Sequence, residues 1–197
     1  MEQWQLVGLI TQRSQVRVLP PLPKVCLIPF EVFRLHKKVA LALEELGIIY
    51  ELLSIDPDFA DTGSFCVKYN YPLEYSGNTI IVASKKGPER YVACIIQASA
   101  SLNVNQMVTR LMDTRKASFA SSEKVVQLTG MMIGGVTPFG LPQGMAVYAD
   151  EELKTIDYLI LGSGDRGAKV KIEGCELHKI PNICFVTGLS SKKSTST

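Results

Sequence analysis

The chain has 197 residues, of which 46% are hydrophobic and 20% charged, and a formal net charge of +2. That length suits one domain with a single buried core, and the composition excludes a disordered chain. So small a charge also excludes a protein that coats nucleic acid through a global field, so any RNA contact must come from local basic patches.

Residues 1–30 carry scattered glutamines and the run Pro20-Pro21-Leu22-Pro23 without sustained periodicity, and read as an extension with no fold of its own. The segment Gln15 to Leu19 back-translates into a string resembling the T-arm consensus of tRNA genes. Two readings stand for it: an ordinary N-terminal extension, or a start assigned inside a neighbouring tRNA gene, with translation beginning near Val25 to Glu31. Genomic sequence upstream of the Glu31 codon separates them.

From Glu31 a helical pattern begins, with Val32, Leu35, Val39, Ala42, Leu43 and Leu46 on one face and Gly47 as its stop. Ile48 to Ile55 reads as a strand, Asp56-Pro57-Asp58 as a turn, and Asp61 or Thr62 as the cap of a short helix that Tyr71-Pro72 breaks. Thr79 to Ser84 and Tyr91 to Gln97 form an antiparallel pair about the turn Lys85-Lys86-Gly87-Pro88, at the centre of a sheet. Asn103 caps a helix carrying Val104, Met107, Val108 and Leu111. Ser121 or Ser122 caps another, ended by Gly130. Strands follow at Ala146 to Ala149 and Ile156 to Leu161. Ala168, Val170 and Ile172 alternate with Lys169 and Lys171 as a strand, Asn182 to Val186 is a last strand, and the tail from Ser190 reads as disordered. Irregularly mixed strands and helices give an α+β (mixed α/β) single domain around one sheet, here bounded at 31–189.

Five cysteines, at 26, 66, 94, 175 and 184, form no C-x-x-C pair, and the spacing of Cys175, His178 and Cys184 matches no zinc pattern; a reducing, cytoplasmic setting and no metal are expected. No run of eighteen apolar residues or secretory signal is present to suggest a membrane partner. Gly162 to Gly167 satisfies G-x-G-x-x-G after an apolar strand. The dinucleotide fingerprint needs a helix next, however, and a strand pattern follows. Its better reading is a hairpin loop, with Ser163 and main-chain amides facing a ligand and Arg166 available to a phosphate or carboxylate. Basic residues recur as Lys85, Lys86 and Arg90, as Arg110, Arg115 and Lys116, and as Arg166, Lys169 and Lys171; sharing a face, they would suit a phosphate backbone.

The segments Lys116 to Ala120, Leu128-Thr129-Gly130, Gly134 to Leu141 (GGVTPFGL) and Gly162 to Gly167, in this order and spacing, resemble the YbaK/prolyl-tRNA-synthetase-associated domain family of aminoacyl-tRNA editing deacylases. The resemblance runs from about Glu31 to Leu189 and implies a curved, largely antiparallel central sheet flanked by helices. It also implies hydrolysis of the ester of a mischarged tRNA, mostly tRNA for proline, in trans or beside prolyl-tRNA synthetase, without metal or organic cofactor. By resemblance the G-x-x-x-P element is Gly134 to Pro138. The backbone groups of Gly134, Gly135 and Thr137 would then orient the terminal ribose hydroxyl or attacking water and stabilise the oxyanion, and Pro138, Phe139, Gly162, Ser163, Gly164 and Arg166 would bind substrate. The family lysine that begins a Lys-Thr-Leu-x-Val strand is Asn78 here, and a frequent tyrosine is Ile55. Asn78 keeps hydrogen-bonding capacity but brings no charge. Deacylation is the leading expectation, and a 3′-end binding module without turnover is its rival.

Overall fold

The computed structural model describes residues 35–193. Helix α1 (Lys37–Glu45) buries Val39 and Leu43, and Gly47, at φ +58°, turns the chain out of it. Strand β1 (Tyr50–Ser54) leads through a short 3₁₀ turn to α2 (Thr62–Tyr69), where Asp61 accepts from the main-chain N–H groups of Gly63 and Ser64. That cap satisfies donors a helix start leaves unpaired. Next come β2 (Gly77–Ser84), β3 (Tyr91–Gln97) and β4 (Ala100–Leu102). Asn103 caps as its side chain suggests, but the helix after it is one π-helical turn, Val104–Val108, running into α3 (Thr109–Leu111). Strand β5 (Ala117–Phe119), α4 (Ser122–Thr129) with its Ser121 cap and left-handed Gly130 stop, and β6 (Ala146–Asp150) complete the middle of the chain. Strands β7 (Tyr158–Gly162), β8 (Ala168–Glu173), β9 (Ile183–Val186) and β10 (Ser190–Lys192) close it.

The strands form more than the one sheet expected. A five-stranded sheet has the order β5-β2-β3-β6-β9, antiparallel through β3 and parallel beyond it. A three-stranded antiparallel sheet has the order β1-β8-β7. The principal core lies between them. Ile81, Ala93, Ile95, Val147 and Ala149 of the larger sheet share it with Leu159, Leu161, Val170 and Ile172 of the smaller, and α1 contributes Val39 and Leu43. Period-two alternation turns every second strand residue to this layer. The opposite face of the larger sheet packs Val82, Val92, Cys94 and Ile96 against Val108 and Met112. The opposite face of the smaller sheet is also covered, because Ile160 packs with Ile55, Ala60, Phe65 and Cys66 from the α2 region.

Two expectations are corrected. The tail from Ser190 is ordered at its start: β10 pairs with β4, and the Ser190 N–H and hydroxyl both donate to the buried Asp150 carboxylate. Ala117–Phe119, read only as part of a motif, is an edge strand. Glu31, Val32, the 1–30 extension and residues 194–197 lie outside the described residues. Among the described residues no helix is long and apolar enough to cross a membrane.

Candidate functional site

Strand β5 accompanies β2 only along Val82–Ser84, so the start of β2, from Gly77 to Ile81, has no strand beside it on that edge. A cavity of about 250 Å³ fills the gap. One wall is β2 itself, with Asn78 and Thr79. Phe119 and Ala120 stand at the end of β5, and Ile133, Gly134 and Val136 line the cavity from the first glycine loop. Asp61 and Thr62 enter from the start of α2, and Gly162 and Lys169 from the smaller sheet.

The glycine loops meet main chain to main chain. Gly164 N donates to Gly135 O at 2.7 Å and Met132 N donates to Gly164 O at 3.0 Å. Backbone approaches so closely that a Cβ on Gly135 would stand 2.3 Å from Asp165 O, and one on Gly162 would stand 2.2 Å from Gly135 O. No side chain fits there, which is what glycine supplies at such a junction. Arg166 clamps the junction, donating from Nη1 to Ile133 O at 3.1 Å and from Nη2 to Pro57 O at 2.8 Å.

The sequence-derived site residues therefore separate. Asn78, Gly134 and Gly162 line the cavity, whereas Gly135 is outside the lining and packs against the Asp165 main chain. Thr137, whose loop is expected to act through its backbone groups, lies outside the lining with its side chain fully buried, and its Oγ1 has no hydrogen-bond partner among the described residues. Pro138 borders a different hollow beside α1, and Phe139 belongs to the principal core. Ser163 is buried rather than ligand-facing, its hydroxyl donating to Ala168 O at 2.9 Å within the hairpin loop. Gly164 packs against His36 and Val39. Arg166 spends its guanidinium on the loop carbonyls described above. None of these residues is in the cavity lining.

Sequence reasoning missed four polar residues in the lining, Thr79 of β2 among them. Thr62 Oγ1 donates to Asn78 Oδ1 at 2.8 Å, which fixes the amide and keeps its NH₂ donors for a ligand. The Asp61 carboxylate stands at the cavity edge as the α2 cap. Lys169 is only 4% exposed, and its Nζ donates to Ala60 O at 2.7 Å and Gly134 O at 3.2 Å. Burial lowers this ammonium to about 8, with Asp61 and Cys66 opposing the shift and Arg166 adding to it. Alternation along β8 correctly opposes Lys169 to Val170, but nothing local reveals that the α2 region covers its face.

The basic clusters rearrange likewise. Lys85 N donates to Lys116 O at 2.8 Å and Thr114 Oγ1 donates to Lys86 O at 3.0 Å, so the turn after β2 and the approach to β5 make one exposed patch of Lys85, Lys86, Arg115 and Lys116. From Lys116, β5 leads to Phe119, which is 58% exposed at the cavity rim. Three extended residues cover about 10 Å. Lys169 is no part of any such surface, and Lys171 is held by Glu51 at 3.0 Å.

Known proteins resemble this chain in sequence and in fold. The profile of the aminoacyl-tRNA editing domain family matches residues 56–180. The uncharacterized protein YwhH of Bacillus subtilis (strain 168) is 31% identical over 83 residues, covering 42% of this chain and about half, 53%, of YwhH. Among solved structures, the hypothetical protein APE2540 superposes with a TM-score of 0.69 at 24% identity, over 79% of this chain and 100% of that one. A candidate trans-editing enzyme for prolyl tRNA synthetase superposes with a TM-score of 0.66 at 20% identity, over 79% and 96% respectively. At these identities the structures establish the shared mixed α/β fold.

Proposed function

This chain belongs to the aminoacyl-tRNA editing domain family, and we propose that it is a deacylase acting in trans on a mischarged tRNA, with tRNA for proline bearing a small amino acid as substrate. The supporting observation is the cavity. Its volume of about 250 Å³ falls below the roughly 300–1,000 Å³ of sites for drug-sized ligands, which suits a small aminoacyl group with the ribose at the rim. Asp61 offers a carboxylate to the α-ammonium, and Asn78 offers its NH₂ to the ester. Water adds to the acyl carbon, the bond from that carbon to the ribose oxygen breaks, and the water's proton ends on the departing ribose hydroxyl. The vicinal hydroxyl of the substrate is the nearest group to carry it. The choice of tRNA for proline rests on the likeness to the candidate trans-editing enzyme.

The exposed Phe119 ring suits stacking of the terminal base, and the Lys85/Lys86/Arg115/Lys116 patch suits acceptor-stem phosphates about 10 Å away. Charge reversal by Lys86→Glu with Lys116→Glu is expected to weaken tRNA binding and flatten its logarithmic salt dependence by about two, one per lost phosphate contact. The Lys171→Glu variant should leave the slope unchanged, being on a paired surface. A titration over potassium chloride concentration measures this; an unaltered slope in the double variant would move the acceptor stem elsewhere.

A second reading is favoured by Asn78, an uncharged side chain where the family resemblance expects lysine: a module that retains the tRNA 3′ end without turnover. Deacylation measured on alanyl-, cysteinyl- and seryl-tRNA for proline separates the two. Release from at least one, with prolyl-tRNA spared, is expected of the deacylase. Binding without release across the panel would leave the binding module.

A further inference from the structure

Lys169 lies in the lining of the cavity, yet no carboxylate comes within ion-pair distance of it among the described residues. Taking a cation out of water without a paired anion is costly, and such groups concentrate at functional sites. Its surroundings are specific: Nζ donates to Ala60 O and Gly134 O, and stands 5.7 Å from the centre of the Phe65 ring. An ammonium has three donors. Two are held by those carbonyls, one of them belonging to the glycine loop that lines the cavity.

We propose that Lys169 is the anion-stabilising catalytic residue of this cavity, directing its third N–H at the acyl oxygen of the ester as that oxygen becomes negative. The assignment rests on the deacylase reading of the same site. As water adds to the acyl carbon, the carbonyl electron pair moves onto oxygen, where a fixed ammonium in a partly desolvated wall stabilises it without reorganising. When the tetrahedral species collapses, the pair returns, the ribose oxygen departs, and Lys169 ends protonated as it began. In this arrangement the charge reaches the cavity from β8 rather than from the β2 position filled by Asn78. Its hydrogen bonds to two main-chain carbonyls also fix the position of Nζ.

Two measurements on the full chain test this, and they fail separately from the deacylase reading. The first is deacylation by Lys169→Gln, which keeps a hydrogen-bond donor but removes the charge. A loss of about a hundredfold in kcat with KM little altered is expected. In the wild type, the catalysed rate relative to the Lys169→Gln rate should fall as pH rises through about 8, where the ammonium deprotonates. Asp61, Cys66 and Arg166 are the charged or titratable neighbours acting on it, so Asp61→Asn should move this break to lower pH. The second measurement is binding of adenosine 3′-(1-aminoethyl)phosphonate, a tetrahedral anion in place of the alanyl ester. Affinity should drop at least tenfold in Lys169→Gln and recover in part when Asn78→Lys is added. Phosphonate binding that depends on Lys169, in a wild type inert toward every mischarged tRNA, would sustain the anion site and end the deacylase reading. Turnover and phosphonate binding both within twofold of wild type in Lys169→Gln would overturn the proposal while the enzyme stands.

Discussion

Replacing Gly162 with alanine is expected to lower the free energy of unfolding by about 3 kcal/mol or more and to abolish the cavity's activity with it. The new methyl would lie 2.2 Å from Gly135 O and 2.5 Å from Val136 O, both main-chain atoms of the facing loop. A clash with a flexible side chain can be relieved by a rotamer change. Here neither partner can move without separating the loop junction, breaking the Gly164–Gly135 hydrogen bond and releasing the Gly134 carbonyl that holds Lys169. Gly87 is the control: it has φ +81° on an exposed turn, and a methyl added there would meet nothing within 4 Å, so Gly87→Ala carries only backbone strain, about 1 kcal/mol. Urea denaturation of both variants checks the contrast. A cost below about 1 kcal/mol at Gly162 would mean that the loops are not docked as described.

Stability should also depend on pH through Lys169. Its ordinary value of 10.5 applies to the unfolded chain, and burial brings the native group to about 8. Below pH 8 both states hold the proton, and the native state bears the full cost of a buried cation. Between 8 and 10.5 the unfolded chain binds more protons than the native one, so unfolding free energy rises with pH, by about 3 kcal/mol over the interval. Lys169→Met removes that slope. At pH 7 the variant should be at least as stable as wild type, since relief of the buried charge outweighs the two lost hydrogen bonds to Ala60 O and Gly134 O. The advantage should vanish or reverse toward pH 10. Denaturation of both proteins at pH 7 and pH 10 gives the difference, in which the titration of the remaining lysines cancels. A difference that stays constant between the two pH values would remove Lys169 from the pH dependence. Stability gained at the expense of activity would mark a group retained for chemistry.

Local features of the fold were legible where a residue's own chemistry decides them. Asp61, Asn103 and Ser121 cap where a short polar side chain can meet exposed N–H groups, and Gly130 takes the left-handed stop. The β2–β3 hairpin shows in its apolar runs, and β8 after the second glycine cluster shows in its alternation. Three of the expected site residues, Asn78, Gly134 and Gly162, share one cavity. What stayed hidden depends on partners far away in the chain. Two glycine-rich loops read as backbone turned toward a ligand, whereas most of their close approaches are to each other, which leaves Thr137 and Ser163 inside the wall. Lys169 reads as an outward strand residue until a segment over a hundred positions earlier is laid across it. β10 is invisible because a serine-rich tail carries no apolar pattern, and its order comes from the Asp150 carboxylate and the β4 edge.

The bonds from Lys169 to Ala60 and from Arg166 to Pro57 each span 109 positions of the chain. During synthesis from the N-terminus, Gly162 and Lys169, which line the cavity from β7 and β8, emerge well after α2, β2 and the Gly134 loop. Closing such long loops costs entropy before any of these contacts forms, and topologies rich in distant pairings fold slowly. A nascent chain that has exposed most of the domain therefore still has no completed pocket, and the cavity is finished at the end of maturation rather than assembled along the way.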